Sequence, residues 1–417
     1  MSERIERARE EMSKQVDGKV AAYFSSCVRC GLCAEACHFH VETNDPRFAP
    51  IYKLEPMRKV WRREQTLGGR LSGFFSSRDE LREEDFAEWE ELVYDSCNLC
   101  GRCSMVCPLG IDLAYMLRRQ RSAFAVAGYV PEGMRTALQR TLELGSPMGV
   151  SLKTIDATLE QVEKRCGLKV PVDRKGAEYM TIFSSMEVVN FPEYIESLAL
   201  IFDAAGLSWT LSSRAFEATN AGIQVGDNAA AREIVERIVS AAEELGVRYV
   251  ISPECGHAYT AIRWEGPNLI GRPYRFEVVH ILELLDRLQR DGRLQIGSRS
   301  DRPMTLHDPC QIVRRGGVVD PPRHLLAAVA SGFVEMRDHG TMNWCCGGGG
   351  GVSANERAEQ LRLRVFKRKK RQLDELGVDT LVTACANCRI VLEEGLEHYE
   401  MDTEVISLTE LIAVHLK

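Results

Sequence analysis

The chain has 417 residues, 45% apolar and 27% charged, with a net charge of −7, which allows about three domains and a sizeable buried core without disulfide staples. The acidic balance argues against a nucleic-acid partner, whose phosphates a basic surface would neutralise, and no run of 18 apolar residues is present to span a bilayer. The opening stretch MSERIERAREEMSKQ lacks the apolar centre of a signal peptide, so a cytoplasmic chain is expected, with its fifteen cysteines reduced and serving as metal ligands or catalytic groups.

An N-terminal helix over residues 1–20 leads into a domain over 21–125 that carries two cysteine runs. The first is Cys27, Cys30, Cys33 and Cys37; the second is Cys97, Cys100, Cys103 and Cys107, followed by Pro108. Both read C-x-x-C-x-x-C-x-x-x-C, in which three thiolates of one loop wrap a [4Fe–4S] cubane and the fourth reaches the other cluster. The spacing therefore assigns Cys27, Cys30, Cys33 and Cys107 to one cubane, and Cys97, Cys100, Cys103 and Cys37 to the other. Gly31 and Gly101 sit inside the loops, where a missing Cβ lets backbone approach the cluster. His38 stands where this motif usually has proline; with four thiolates completing each cubane, His38 and His40 are read as supporting or surface groups rather than ligands. Structural zinc sites are the competing reading, but they usually pair two C-x-x-C knuckles. Between the motifs, Asp45–Pro50 reads as a turn, Lys53–Gln65 and Ser77–Tyr94 as helices, and Gly68–Gly73 as a flexible connector.

Residues 126–172 read as a helical linker, in which Cys166 has no partner and is expected to be a buried thiol. From about residue 175 short strands alternate with helices. Tyr179–Phe183 and Pro303–His307 read as opening strands, residues 228–246 and 354–377 as helices ending in Glu-Leu-Gly-Val, and Tyr249–Ser252 and Thr380–Thr383 as the strands that follow. One duplicated unit, over 173–295 and 296–417, explains the pattern. The fold class expected is α+β and α/β multidomain: a helical 2[4Fe–4S] ferredoxin-like domain, then two α/β subdomains.

The second copy carries Cys310, Cys345, Cys346, Cys385 and Cys388, one thiolate more than a cubane needs. The following Gly347–Gly351 run can bring N–H groups to an anionic cofactor, and Gly347 and Gly348 are assigned to it. In the first copy, alignment from the opening strands puts Met186 at the position of Cys310, and 218–222 replaces the double cysteine. Alignment on the Glu-Leu-Gly-Val blocks puts Glu254 and His257 at Cys385 and Cys388, with Cys255 one residue off register. No cluster is expected in the first copy; Glu254, Cys255 and His257 are either a vestigial loop or a trio facing the shared interface. His307 is a candidate acid because the reference pKa of histidine lies near neutrality, with a capping or supporting role as the ordinary alternative; Arg314 and Arg315 form a solvated face or else hold an anion. The basic run Lys367–Arg371 reads as a solvated helix face, or else a docking surface for an acidic partner or anionic lipid.

Cys310, Cys345-Cys346-Gly347 and Cys385-x-x-Cys388 resemble the CCG domain of heterodisulfide reductase. With the ferredoxin pair, nearly the whole chain is similar to the fused heterodisulfide reductase D-type subunit. Cys37-His38-Phe39-His40 and Glu254-Cys255-Gly256-His257-Ala258 resemble the K-type catalytic subunits of the sulfite-reductase-associated (Dsr) complexes and their Hme and Tmc relatives. The resemblance implies that the five cysteines bind a noncubane [4Fe–4S] cluster that splits or forms a disulfide or trisulfide. It also implies a membrane cytochrome b-type partner, attachment to the inner membrane face through it, and a small or protein-borne sulfur substrate. The chain departs from the family by lacking the first CCG set. The alternative is the iron–sulfur subunit of a flavin-dependent glycolate- or lactate-type dehydrogenase, which would only relay electrons.

Overall fold

The computed structural model describes residues 3–72, 81–217 and 219–417. Two compact units emerge. The first gathers residues 1–135, 222–228 and 347–368; the second gathers 136–221, 229–346 and 369–417.

The first unit is helical. Helix Glu3–Gln15 buries Ile5, Ala8 and Met12, which recur every three or four residues and so share one face. It packs on helix Leu113–Val126. The expected helix after Lys53 begins at Glu55 and runs to Gln65, with Pro56 in its first turn, where no intrahelical bond is lost. The expected connector over Gly68–Gly73 is instead helical over Leu67–Ser72, because Thr66 Oγ1 accepts the Gly69 N–H at 3.0 Å and caps the turn; Gly73 lies outside the described residues. Of the helix expected over Ser77–Tyr94, residues 77–80 lie outside the described residues. The rest forms helix Glu83–Glu90 and a π-turn over Glu91–Asp95.

The second unit contains two sheets, one from each expected copy, while residues 222–228 and 347–368 of those stretches belong to the first unit. In the first copy, strands β1 (Tyr179–Thr181), β2 (Trp209–Thr210), β3 (Tyr249–Ser252) and β4 (Glu277–His280) form a parallel sheet in the order β2-β1-β3-β4. In the second, β5 (Met304–His307), β6 (Thr380–Thr383) and β7 (Glu404–Ser407) lie parallel in the order β5-β6-β7, and Phe333 bridges Met304 on the outer side of β5. The two orders are the same once Phe333 is set against β2. Helices Asn228–Leu245 and Glu359–Leu376 precede β3 and β6, and each ends at a left-handed glycine, Gly246 (φ 70°) and Gly377 (φ 60°). Parallel strands buried on both faces need continuous apolar runs; Val250, Ile251, Leu381 and Val382 supply them. Helices Glu132–Leu144 and Leu152–Cys166 occupy the stretch read as a linker. Cys166 is half-buried rather than buried, its Sγ 3.8 Å from the Leu168 carbonyl.

Candidate metal centres

In the first unit the two cysteine loops share one backbone conformation. Arg29 and Leu99 adopt φ of 53° and 52°, and Gly31 and Gly101 follow at 88° and 78°. These left-handed pairs turn successive N–H groups inward, an arrangement that suits an anion. A Cβ on Gly31 would meet no protein atom, so it is the positive φ that favours glycine there. Short helices Leu32–Glu35 and Arg102–Met105 follow each loop. Cys27, Cys30, Cys33 and Cys107 line one open pocket together with Arg29, Ile51, Leu109 and Ile111. Cys37, Cys97, Cys100 and Cys103 are electrostatic neighbours of one another; burial pushes the Cys103 thiol up, and Cys100, Cys37, Cys97 and, from the other set, Cys33 add to it. The fourth cysteine of each run thus joins the set of the other.

His38 is buried, and its Nε2 lies 2.7 Å from Asn98 Oδ1. The Asn98 amide donates to the carbonyls of Gly347 at 2.6 Å and Gly349 at 3.1 Å. A proline after Cys37 could not make this bond. His40 Nδ1 faces the Asp45 carbonyl at 3.0 Å. A Cβ on Gly350 would lie 2.8 Å from the Asn98 carbonyl carbon, so within this unit the glycine run is explained by its close approach to the second cysteine loop.

In the second unit Cys310, Cys345, Cys346, Cys385 and Cys388 converge. All are 3–6% exposed. Cys310 follows β5, and its Sγ lies 3.8 Å from that of Cys345. Cys385 caps helix Ala386–His398, and Cys388 stands in its first turn. The ligand atoms of His307, Cys346 and Cys388 all lie within 4.8 Å of one another. Hydrogen bonds from Cys345 and Cys388 hold the Cys346 thiol well below the usual thiol range, against the effect of burial. Burial, with the Lys369 charge second, pushes His307 down. Neither ring nitrogen of His307 has a hydrogen-bond partner of ordinary geometry, although the residue is fully buried.

The loop carrying Cys345 and Cys346 is tied to the end of β5. Asp308 accepts the Gly340 N–H at 2.6 Å and the Arg323 guanidinium at 2.9 and 3.0 Å. Arg314, read from the sequence as a solvated face or else an anion holder, instead donates to the Thr341 and Asn343 carbonyls at 2.5 Å and fixes the same loop. The basic run Lys367–Arg371 is not solvated throughout: Lys369 is 2% exposed. Its Nζ donates to Gln372 Oε1 at 2.9 Å, and burial pushes its pKa down to about 8. Sequence reading missed it because a single buried position inside a charged helix leaves no compositional mark.

Strand register corrects the alignment of the two copies. Tyr179 pairs with Tyr249 as Met304 pairs with Thr380, so Ser185, not Met186, stands opposite Cys310. Cys255 caps helix Gly256–Tyr259 with φ −136° and ψ 105°, as Cys385 caps its helix with φ −153° and ψ 114°. One extra residue between β3 and the cap brings Cys255, rather than Glu254, into register with Cys385. The copies interlock here: the Ala386 N–H donates to the Glu254 carbonyl at 2.8 Å, and the Gly256 N–H donates to the Cys385 sulfur. A narrow cavity reaches Cys385 between Glu187, Tyr194, Glu254 and Arg389. Burial pushes the Glu254 carboxyl up to about 7, although it accepts the Thr409 N–H at 3.0 Å. Glu187 Oε1 has no partner. His257 is half-buried.

Five buried thiols, two of them beside a histidine without ordinary partners, fit an iron–sulfur centre; a structural zinc ion would take four ligands. Residues 304–393 match the cysteine-rich domain family CCG, and residues 23–111 match the 4Fe-4S dicluster domain family. Over 94% of its length the chain is 30% identical to the Hdr-like menaquinol oxidoreductase iron-sulfur subunit 2 of Archaeoglobus fulgidus, covering 79% of that protein. It is 27% identical to the D-type subunit of the dihydromethanophenazine:CoB–CoM heterodisulfide reductase of Methanosarcina acetivorans, over 93% of each chain. It is also 26% identical to the EtfAB:quinone oxidoreductase of Syntrophomonas wolfei, over 93% of this chain and 57% of that one.

Proposed function

Since the chain belongs to the family of heterodisulfide reductase D-type iron–sulfur subunits, we propose that it takes electrons from a quinone-linked, membrane cytochrome b-type partner and delivers them to a disulfide or trisulfide, or runs in reverse. Among the described residues no helix is long and apolar enough to cross a membrane, so attachment to the inner face is assigned to that partner. The bound clusters supply one-electron steps, and a noncubane centre on the five cysteines supplies a place for a substrate sulfur. Reducing R–S–S–R′ takes two electrons and two protons and gives two thiols.

The chain's own residues do the rest. Cys310, Cys345, Cys346, Cys385 and Cys388 hold the centre, and Gly347 and Gly348 lie next to it in sequence. His307, kept neutral by burial, can take a proton at one ring nitrogen as it releases one from the other. Glu254, at about 7, and Glu187 line the cavity through which protons reach the Cys385 side. The observation that carries the reading is the convergence of five buried sulfurs and His307, beyond what a cubane needs.

Electron paramagnetic resonance of the holoprotein, oxidised in the presence of thiol, tests it. The expected result is a signal that appears only with thiol and broadens with sulfur-33 substrate, alongside roughly twelve irons per chain. Intact ferredoxin-type signals without it would leave a pure relay, the reading that the likeness to an EtfAB:quinone oxidoreductase favours.

A further inference from the structure

The two cysteine sets of the first unit sit in different electrostatic settings. Cys30 is exposed, and its set is rimmed by Ile51, Leu109 and Ile111, with the solvent-exposed Arg29 the charged residue of that lining. The set of Cys37, Cys97, Cys100 and Cys103 has a buried lysine beside it. Lys53 is 1% exposed. Its Nζ donates to the carbonyl of Ser96, the residue before Cys97. The same ammonium lies 5.3 Å from the ring centre of Phe39, two residues after Cys37, and 5.7 Å from that of Phe48. The side chain therefore stands between the two arms of chain that supply this set.

A buried cation needs a counter-charge. Among the described residues no carboxylate forms an ion pair with Lys53. The buried Asp95 next to Ser96 is taken by Arg357 at 2.6 Å and by Asn355 at 2.6 Å. What remains is the thiolate set itself; the Lys53 charge opposes the rise that burial imposes on Cys37. Arg121 is as deeply buried but spends its guanidinium on the carbonyls of Val93, Cys97, Gln224 and Gly350, at 2.6–2.9 Å. Its loss would open the fold. Lys53 makes one backbone bond through its ammonium and is the cation whose charge can be removed most cleanly.

We propose that Lys53 is a potential-setting residue: its fixed positive charge raises the reduction potential of the cluster held by Cys37, Cys97, Cys100 and Cys103, and of that cluster alone. On reduction one electron enters the cluster and its negative charge grows by one. The ammonium favours the reduced form because the intervening medium is protein rather than water. This stands independently of the sulfur chemistry proposed above, so its failure would leave that reading intact.

The test is a potentiometric titration of the full holoprotein followed by electron paramagnetic resonance. A soluble dysprosium chelate in the sample relaxes the exposed cluster and so labels which signal is which. Lys53→Met and Lys53→Gln should move the midpoint of the less relaxed cubane to more negative potential and leave the other in place. Lys53→Arg should stay near the unmodified value. No shift, an equal shift of both clusters, or a shift in Lys53→Arg as large as in Lys53→Met would overturn the proposal. Should the neutral variants fail to assemble, the unmodified protein grown with 15N-ζ-lysine decides. Pulsed resonance should find a weak nitrogen coupling on the less relaxed cluster, and its absence there rejects Lys53.

Discussion

Gly256→Ala probes how the two copies of the second unit are fitted together. A methyl group added to Gly256 would lie 2.6 Å from the Gln311 Cβ and 3.2 Å from the Ile312 N. Carbon atoms in contact settle at about 3.5–4.0 Å, so the chain just after Cys310 must retreat by about 1 Å. Overpacking of this kind costs about 1–3 kcal/mol, which in a unit of this size lowers Tm by roughly 3–10 °C. The retreat falls on the residue next to Cys310, whose Sγ lies 3.8 Å from that of Cys345, and on Gly256, whose N–H donates to Cys385, so it disturbs both contacts. The purified variant should therefore lose about four of roughly twelve irons, while the ferredoxin-type resonance signals persist. Calorimetry and iron analysis on one preparation check both halves. A variant with full iron and an unshifted Tm would refute the close fit between Gly256 and the Cys310 loop.

His38→Pro restores the residue that ferredoxin motifs usually carry. Proline is tolerated at the first position of helix His38–Thr43; the change removes the bond to Asn98 and the edge contact with the Phe39 ring, and leaves a buried oxygen without its donor. A loss of about 1–3 kcal/mol is expected, read as a lower denaturant midpoint with both clusters still bound. Glu254→Gln tests the buried carboxyl. The unfolded carboxyl releases its proton near 4.5 and the folded one near 7. Between those values the unfolded state binds fewer protons, so stability falls as pH rises, by about 3 kcal/mol in all. The glutamine variant should lack that slope between pH 5 and 7; an unchanged profile would show that Glu254 does not titrate there.

The cluster-binding half was legible because its ligands are local: four cysteines within one loop and one helical turn state their own geometry. The five-cysteine set was legible by composition, since glycines and paired cysteines have few other uses. Equivalence between the copies was not. Strands of three or four residues carry too little pattern to fix register, and the single extra residue ahead of Cys255 shifts the alignment between strand and helix cap. Strands β4 and β7 leave no clear mark for the same reason, being four residues each with a glutamate at the start. Burial of Lys53 and Lys369 was invisible, because a charged residue reads as surface until its neighbours are known.

Residues 347–368 belong with the N-terminal unit although the sequence on both sides of them belongs to the other. During synthesis this stretch leaves the ribosome long after the cysteine loops, by roughly 10–50 s at ordinary elongation rates. Until it arrives, Asn98 and Arg121 lack the glycine carbonyls they grip in the finished protein. The nascent ferredoxin half therefore waits incomplete, its thiols open to stray metals and oxidants. Iron–sulfur assembly on this polypeptide is best timed after translation ends, and a gene truncated before the glycine run would yield a half that loads its clusters poorly.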